Sequence, residues 1–266
     1  MNQPHSISSR KNSHFKRWLS LLDAHGIKRH HQCLVSGNKL RNEIWKNSGH
    51  SAREFLFPSS WNIEEDLPCQ TKSYILSHSL FKELDVFGTK EPLVVCNIPE
   101  ISSMDLTQAP NGLEVLCPMG DPGNLGAFIR SCRAFDVQTV ILLQEAVHPF
   151  HPKVIRTSSG AVFVQSLKWG GSIANLNTAE TLKWITALDL QGKNISTVKW
   201  PKNVRLLIGE EGVGVPCFRF AERLCISQIH PSIPLNATVA GTIALFAYRQ
   251  KNFTPFTSQE REAGLS

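Results

Sequence analysis

Three segments of the sequence combine glycine, asparagine and charged residues at spacings that suit ligand binding. Residues 121–136 read DPGNLGAFIRSCRAFD, residues 206–216 read LLIGEEGVGVP, and residues 229–240 read IHPSIPLNATVA. Glycine lets a ligand approach the backbone closely, and open α/β sheets bind their ligands at the carboxyl ends of strands. Each segment is therefore a candidate binding loop, provided that a strand precedes it.

The first segment follows an apolar run that ends at Cys117, and it has the pattern of an amphipathic helix. Asn124 is placed to cap this helix, and Arg130 and Arg133 fall off its apolar stripe. The stripe consists of Leu125, Phe128, Ile129, Cys132 and Phe135. A capped helix with two surface arginines explains this pattern by itself, so the segment alone does not establish a site.

The second segment ends a predicted strand with three glycines, Gly209, Gly212 and Gly214. Such a loop exposes backbone N–H and C=O groups, which suits a nucleotide-like ligand. The spacing departs from G-x-G-x-x-G and the segment contains no G-K-[ST], which argues against nicotinamide cofactors and P-loop nucleotides. A plain turn between a strand and a helix is the alternative interpretation.

The third segment leads into the last predicted helix, residues 238–250, which ends in basic side chains. Asn236 or Thr238 is placed to cap this helix, and Pro231 and Pro234 restrict the chain that approaches it. Taken alone, this segment says little about chemistry.

The remaining pattern predicts an α/β protein in two parts. In the first part, a helix that starts near Phe15 and stops at Gly26, and a second helical pattern from Gly37, alternate with short strands at residues 33–36, 54–57 and 73–76. In the second part, helix-length spacers separate apolar strands, which is typical of a mostly parallel sheet. Those strands are residues 113–117, 139–143, 161–164, 184–188, 204–208 and 224–229.

The apolar pattern lapses after Pro99, which places a domain boundary near residue 106. A chain of 266 residues is long enough for two domains. The predicted organisation is a flexible tail at residues 1–12, a small α/β domain at 13–106, a larger α/β domain at 107–254 and a C-terminal tail at 255–266.

Composition and charge narrow the classes of protein. The chain is 41% hydrophobic and 19% charged, without an apolar run long enough to span a membrane, which is the profile of a folded protein outside the membrane. Residues 1–53 contain ten Lys or Arg and two acidic residues, a net +8, and the other 18 basic and 20 acidic residues leave about −2. A basic segment attracts a polyanion, so RNA or DNA is the leading partner, with a solvated basic face as the alternative.

Seven cysteines without a C-x-x-C pair predict a reducing, cytoplasmic setting and no zinc site.

Taken together, the three segments resemble a known family. NxGxxxR at residues 124–130, GxEGxG at 209–214 and LNATVA at 235–240 are similar to motifs one, two and three of the TrmH (SpoU) branch of the SPOUT RNA methyltransferases. Residues 34–43 resemble the opening of the small substrate-binding domain, of ribosomal-protein L-thirty-e type, that precedes many of these catalytic domains. The resemblance covers residues 14–250.

This resemblance implies a fold and a reaction. The fold is a C-terminal, Rossmann-like SPOUT domain with a deep trefoil knot, preceded by the smaller N-terminal α/β domain. The reaction is the transfer of a methyl group from S-adenosylmethionine to a ribose 2′-hydroxyl of structured RNA, with ribosomal RNA favoured over transfer RNA. The family also implies a homodimer through the knotted domain, with the apolar stripe at residues 239–246 in its interface. It implies neither a metal nor a membrane.

The resemblance also assigns roles to residues of this sequence. The residues implied in catalysis are Arg130, Asn124 and Asn236. The implied cofactor contacts are Leu188, Gly209, Glu211, Gly212, Gly214, Ile229, Leu235 and Asn236. The implied RNA contacts are Lys28, Arg29, Lys39, Arg41, Arg130 and Arg133.

The sequence departs from the family pattern at three positions. Pro234 stands where motif three commonly has serine, Glu210 where motif two usually has asparagine, and Asp136 where glycine usually follows the aromatic residue of motif one. The loop before motif three is also shorter. These departures keep a second function open, that of a non-catalytic RNA-binding and dimerising adaptor with a degenerate methyltransferase domain.

Overall fold

The computed structural model describes residues 4–37, 52–61, 72–210, 212–230 and 233–252, which build two β-sheets. The strands of the first sheet are β1 (His5–Ile7), β2 (Gln32–Ser36), β3 (Ala52–Pro58), β4 (Lys72–Leu76) and β5 (Leu93–Asn97). Their order in the sheet is β1-β4-β3-β5-β2. β4 runs parallel to β1 and β3, whereas β5 runs antiparallel to β2 and β3. This sheet is therefore mixed, and helices accompany it as the sequence pattern predicts.

The described helices of this first part are α1 (Ser13–Ser20), α2 (Ala24–His30) and α3 (His78–Leu84). α1 and α3 bury apolar side chains, among them Phe15, on one face of the sheet. A carboxylate fixes α1 to β3, because Glu54 accepts hydrogen bonds from the indole N–H of Trp18 (2.6 Å) and from the guanidinium of Arg17 (2.6 Å). Buried polar groups of this kind must be paired, so the contact specifies where α1 lies.

The structure corrects two expectations for this part. Residues 5–7, which the sequence pattern places in a flexible tail, form β1 at the edge of the sheet. The helix expected to stop at Gly26 ends at Ser20, and Gly26 lies inside α2. A Cβ at Gly26 would lie 1.9 Å from the carbonyl oxygen of Ser20, so glycine permits a close helix contact there and does not end a helix. The helix predicted from Gly37 lies outside the described residues.

The second sheet is parallel throughout and has six strands. They are β6 (Leu113–Cys117), β7 (Thr139–Leu142), β8 (Leu167–Trp169), β9 (Ile185–Asn194), β10 (Val204–Leu207) and β11 (Glu222–Cys225), in the order β11-β9-β10-β6-β7-β8. The expected α/β architecture is confirmed. The trefoil knot and the likeness of the first part to the ribosomal-protein L-thirty-e type stay predictions, as do the domain limits and the tail at residues 255–266, which lies outside the described chain.

One predicted strand of this sheet is wrong. Residues 161–164 form a 3₁₀ turn at Ala161–Phe163 that follows Gly160 in a left-handed conformation (φ 80°), and the strand lies further on, at β8. A short apolar run does not distinguish a strand from a buried turn, because the alternation that identifies a strand needs more residues.

The described helices of the second part are α4 (Pro122–Ala134), α5 (Pro152–Thr157), α6 (Ala179–Leu182) and α7 (Ala237–Asn252). α7 confirms the last predicted helix. The cap of α4 differs from the prediction, because Asp121 and not Asn124 accepts the hydrogen bond, from the backbone N–H of Asn124 (2.8 Å). Two glycines permit close packing of α4: a Cβ at Gly126 would lie 1.9 Å from Thr157 Oγ1 of α5, and a Cβ at Gly241 of α7 would lie 2.5 Å from the Phe128 ring.

The segment before β6 is held on the second sheet by a buried cation. Arg205 of β10 is fully buried and pairs with Glu114 of β6 (2.7 Å). The same guanidinium donates hydrogen bonds to the carbonyl oxygens of Leu106 (2.9 Å) and Gln108 (3.2 Å). A buried charge requires such partners, so the chain around residue 106 is fixed to the sheet and is not a free linker.

α5 packs against β2, and this contact joins the two parts. His148 precedes α5, is 6% exposed, and accepts a hydrogen bond at Nδ1 from the backbone N–H of Phe150 (3.2 Å). Its ring also lies 5.9 Å from that of Trp169. Burial lowers the pKa of His148 to about 4, and the charges of Lys28 and His151 act in the same direction.

The low pKa of His148 predicts that the protein loses stability in acid. In the unfolded chain a histidine titrates near pH 6.5, so between pH 6.5 and 4 the unfolded state binds more protons than the folded state. Stability therefore falls as the pH drops through this window, by up to about 3 kcal/mol from this group. His148→Asn, which keeps a hydrogen-bond acceptor, is expected to remove most of this pH dependence in urea unfolding measured from pH 7 to pH 4.

The matched control is His78→Asn, because His78 is exposed on α3. This variant is expected to keep the pH dependence of the unchanged chain. An unchanged pH dependence in His148→Asn would contradict the assignment.

Candidate active site

A cavity of about 760 Å³ lies at the carboxyl ends of strands of the second sheet, where parallel α/β sheets bind ligands. Its volume is in the range of small-molecule sites. Four stretches of chain contribute to it: the start of α4, the middle of β9, the loop after β10, and the chain from the end of β11 into the first turn of α7. Its lining consists of Asn124, Leu188, Asp189, Leu190, Ile208, Gly209, Glu210, Gly212, Val213, Gly214, Val215, Ile226, Gln228, Pro234, Leu235, Asn236, Ala237 and Ala240.

The glycine-rich loop after β10 folds back on itself beside the cavity. The backbone N–H of Glu210 donates to the carbonyl of Gly214 (3.0 Å), and the N–H of Gly214 donates to the carbonyl of Glu210 (2.8 Å). Gly212 and Gly214 have left-handed φ angles of 83° and 78°, which other L-residues rarely adopt. A Cβ at Gly209 would lie 3.2 Å from the carbonyl carbon of Gly214. Glycine is therefore needed here to close the turn and leave its backbone facing the cavity.

An irregularity in β9 supplies another wall. β9 pairs with β11 through Ala187 and then again only at Lys193, so residues 188–192 leave the ladder. Asp189 and Leu190 belong to this loop and line the cavity. Gly192 allows β9 to approach β11 closely again before the pairing resumes at Lys193, because a Cβ at Gly192 would lie 2.5 Å from the carbonyl carbon of Leu224.

Motifs one and three meet at the edge of the cavity. The side-chain amide of Asn236 donates from Nδ2 to Oδ1 of Asn124 (3.2 Å). Oδ1 of Asn236 accepts from the backbone N–H of Thr238 (2.9 Å), which confirms that Asn236 caps α7. The Thr238 hydroxyl donates to the carbonyl of Asn124 (3.0 Å). The two asparagines are therefore fixed relative to each other by helix starts.

The two arginines of motif one lie outside the cavity lining. Arg130 follows Asn124 by six residues on α4, which is about 9 Å further along the helix axis. Both Arg130 and Arg133 are exposed. Within the described part of the chain, the structure gives the Arg130 side chain neither a hydrogen bond nor an ion pair. The guanidinium is thus accessible from solvent.

Most of the predicted cofactor contacts line the cavity. Leu188, Gly209, Gly212, Gly214 and Leu235 line the cavity together with Asn236. Ile229 does not: its side chain is 93% exposed, and this segment contributes Ile226 and Gln228 to the lining instead.

The predicted RNA contacts lie elsewhere or cannot be placed. Lys28 and Arg29 are exposed on α2. Lys39 and Arg41 lie outside the described residues, as does Glu211, which is a predicted cofactor contact.

The charge of the cavity discriminates between ligand classes. Among the described residues that line it, the only charged side chains are the carboxylates of Glu210 and of Asp189, and Asp189 is paired with Arg223 of β11. A phosphate-rich ligand would be repelled by this lining, whereas a ligand with a positive group is attracted. The sulfonium and amino groups of S-adenosylmethionine fit this requirement, and the glycine backbone fits its nucleoside.

Sequence reasoning missed Asp189, Glu210 and the arginine that pairs with Asp189. Arg223 of β11 donates to the Asp189 carboxylate from 34 positions away in the chain. Local sequence spacing does not predict this contact, because the contact depends on the register of β11 against β9.

Neither a membrane-spanning helix nor a metal site is present in the described residues. Their helices are too short or too polar to cross a bilayer. In this same part of the chain, His, Cys, Asp and Glu side chains do not gather in groups of three or more that could hold a metal ion.

A parallel α/β sheet with a carboxyl-edge cavity, a glycine-rich loop and paired asparagines defines a ligand-binding α/β protein. The chain belongs to the SpoU rRNA methylase family, whose model matches residues 114–246. The family predicted from the three motifs is thereby confirmed.

Similar proteins support this placement. Ribosomal RNA small subunit methyltransferase G 2 from Syntrophobacter fumaroxidans is 36% identical over 244 residues, which cover 91% of this chain and 48% of that protein. The chain thus spans about half the length of this relative. The 23S rRNA (guanosine(2553)-2′-O)-methyltransferase RlmP from Bacillus subtilis is 25% identical over 250 residues, 91% of this chain and 98% of that protein.

A solved structure confirms the fold. The crystal structure of the SpoU methyltransferase AviRb from Streptomyces viridochromogenes, in complex with the cofactor AdoMet, has a TM-score of 0.76 to this chain. The match covers 92% of this chain and 100% of that one at 22% identity. At this identity the likeness concerns the fold alone.

Proposed function

We propose that this protein transfers a methyl group from S-adenosylmethionine to a ribose 2′-hydroxyl of structured RNA, and that the RNA is ribosomal. The observation that carries the proposal is the hydrogen bond between Asn124 and Asn236 at the edge of a glycine-lined, anionic cavity. It joins two family motifs into one site, beside the place where a cofactor fits.

The cavity is proposed to hold the cofactor through Leu188, Leu235 and the backbone of the loop from Gly209 to Gly214. When bound, S-adenosylmethionine supplies an electrophilic methyl group. Apolar lining residues exclude water, and the carboxylate of Glu210 offsets the positive charge of the ligand. Glu211 and Ile229 stay predictions as cofactor contacts.

Asn124, Asn236 and Arg130 are proposed to act on the RNA. The paired asparagines orient the ribose, and a fixed orientation lowers the barrier to a displacement reaction. Arginine retains its proton at any accessible pH, so Arg130 serves as a donor that stabilises charge developing on the 2′-oxygen. As the new O–C bond forms and the S–C bond breaks, the hydroxyl proton passes to solvent.

Basic residues away from the cavity are proposed to bind the RNA backbone. Lys28 and Arg29 on α2 and Arg133 on α4 are exposed. Lys28 and Arg29, like Lys39 and Arg41, lie within residues 1–53, which carry a net charge of +8. Phosphate contacts of this type position a nucleic acid without reading its sequence.

The 2′-O class and ribosomal RNA are supported by RlmP, a 23S rRNA 2′-O-methyltransferase that matches this chain over almost the whole length of both proteins. The Syntrophobacter relative does not bear on the substrate of this chain, because half of that protein lies outside the match. The cytoplasmic location stays a prediction.

A homodimer through the second part is also proposed. Val239 and Phe246 lie seven positions apart on α7, and each is about half exposed. Burying two such faces against each other removes apolar surface from water, which favours association. Light scattering is expected to give about twice the chain mass of 29.7 kDa at micromolar concentration, and a mass near one chain would contradict the dimer.

Two assays test the proposed reaction. Isothermal titration with S-adenosylmethionine, with and without bulk ribosomal RNA, is expected to show binding. Incubation with methyl-labelled cofactor and unmethylated ribosomal RNA is expected to yield label that stays on a ribose, because a 2′-O-methyl group blocks alkaline cleavage of the adjacent bond. Binding of RNA without cofactor binding or label would favour the non-catalytic adaptor.

A further inference from the structure

We propose that Arg223 is a positioning residue of the cofactor cavity, which holds two of its walls in the arrangement that binds S-adenosylmethionine. This inference rests on the proposed function, because the ligand and the reaction are the ones proposed above. Arg223 does not line the cavity and belongs to none of the three motifs. Its role follows from the two segments that its guanidinium connects, the β9 loop and the end of the glycine-rich loop.

One contact of Arg223 fixes the loop of β9. Its Nη1 donates to Oδ2 of Asp189, and the two side chains are 26% and 21% exposed. Oδ1 of Asp189 accepts a hydrogen bond from the backbone N–H of Gln191 (3.3 Å). Both carboxylate oxygens are thus held, which fixes the part of the chain that carries Leu188 and Leu190 into the cavity.

The other contacts of Arg223 fix the end of the glycine-rich loop. Its Nη2 donates to the carbonyl oxygens of Pro216 (2.8 Å) and Phe218 (3.0 Å). The guanidinium also lies 5.0 Å from the centre of the Phe220 ring. Pro216 directly follows Val215, the last cavity-lining residue of this loop. The backbone pair of Glu210 and Gly214 holds the start of the loop, and Arg223 holds its end.

This arrangement needs arginine specifically. A planar guanidinium presents several donors in a fixed fork, whereas lysine presents a single ammonium group. Without Arg223, the Asp189 charge loses its partner at the cavity wall, and two carbonyl oxygens lose a charged donor. Both changes release the β9 and glycine-loop walls from each other and so alter the shape of the cavity, and the contacts of Arg223 include neither Asn124 nor Arg130. The expected effect is therefore on cofactor binding and not on the chemical step.

The test is a comparison of Arg223→Met with Arg223→Lys in the full chain. Arg223→Met is expected to raise the Kd for S-adenosylmethionine in calorimetry, and its KM in methyl transfer, about 10- to 100-fold, by analogy with the loss of a group that supports a metal ligand. The kcat at saturating cofactor is expected to stay close to that of the unchanged protein. Arg223→Lys is expected to recover part of the affinity, because it restores the charge beside Asp189 but not both carbonyl contacts.

The neighbouring ion pair provides a matched control. Lys193 of β9 pairs with Glu222 of β11 (2.9 Å), but Lys193 is 74% exposed and does not line the cavity. Lys193→Met removes a cation between the same two strands, and such exposed pairs contribute little to stability. It is expected to leave Kd, KM and kcat unchanged. Thermal unfolding of every variant separates a binding effect from a loss of the fold.

The outcomes are distinguishable. If the unchanged protein binds the cofactor and Arg223→Met binds it equally well, the inference is overturned even if that variant melts at a lower temperature. A fall in kcat with an unchanged KM overturns it as well. If Arg223→Met does not fold, an unchanged Kd in Arg223→Lys has the same consequence. If the unchanged protein does not bind S-adenosylmethionine with or without RNA, the proposed function fails, and this inference fails with it.

Discussion

Replacement of Arg130 by alanine is expected to lower the rate of methyl transfer about 10²- to 10³-fold at saturating cofactor, which corresponds to about 2.7–4 kcal/mol. The physical reason is the loss of a charged donor at the oxygen on which negative charge develops. Arg130 is exposed and lies outside the cavity lining, so the variant is expected to bind S-adenosylmethionine as the unchanged protein does. Single-turnover transfer of labelled methyl groups measures the rate, and calorimetry measures the cofactor affinity.

Lys199→Ala is the control for Arg130. Lys199 is an exposed cation in the segment that leads into β10, and it lies outside the cavity lining. This variant is expected to retain full turnover, so a general loss of positive charge would not explain the Arg130 effect. Near-full turnover in Arg130→Ala would remove Arg130 from the mechanism, and a loss of cofactor affinity would place its role in the cavity.

The second sheet was largely predictable from sequence because its central strands are buried on both faces. β6, β7 and β10 are mostly apolar, the charged Glu114 and Arg205 are buried as a pair, and the structure places each strand within one residue of its predicted limits. β9 was predicted only in its first half. Its polar second half extends to Asn194 and pairs with β11 after a break in register, and a local apolar pattern carries no information on such a break.

The candidate site was predictable where function depends on local spacing. Asn124, Asn236 and the three glycines fall in short motifs, and the structure brings them to one cavity. The 3.2 Å contact between the two asparagines joins positions 112 residues apart, which only the fold can specify.

Contacts between strands at the site were not predictable in this way. Arg223 and Asp189 meet only because β11 lies beside β9. The shortened loop before motif three also misleads a prediction from sequence position. Position in the motif pattern predicts Ile229 as a cavity contact, whereas Ile226 lines the cavity in the structure.

Leu235→Arg is expected to abolish measurable binding of S-adenosylmethionine. Leu235 lines the cavity and is 36% exposed, so a longer side chain at this position extends into the space that the ligand needs. The guanidinium also pairs readily with Glu210, which takes away the negative charge that attracts a sulfonium ligand. We expect the Kd to rise at least about 100-fold, which is about 2.7 kcal/mol, and methyl transfer to be lost with it.

Ile233→Arg is the matched control, because it places the same side chain two residues earlier in the same loop. Ile233 is 65% exposed and does not line the cavity, so this variant is expected to bind the cofactor normally. Titration with S-adenosylhomocysteine, which lacks the sulfonium charge, separates the two causes. A steric block weakens both ligands equally, whereas a charge effect weakens S-adenosylmethionine more. Normal binding of S-adenosylmethionine to a folded Leu235→Arg variant would mean that the cofactor does not occupy this cavity, and the proposed site would have to be abandoned.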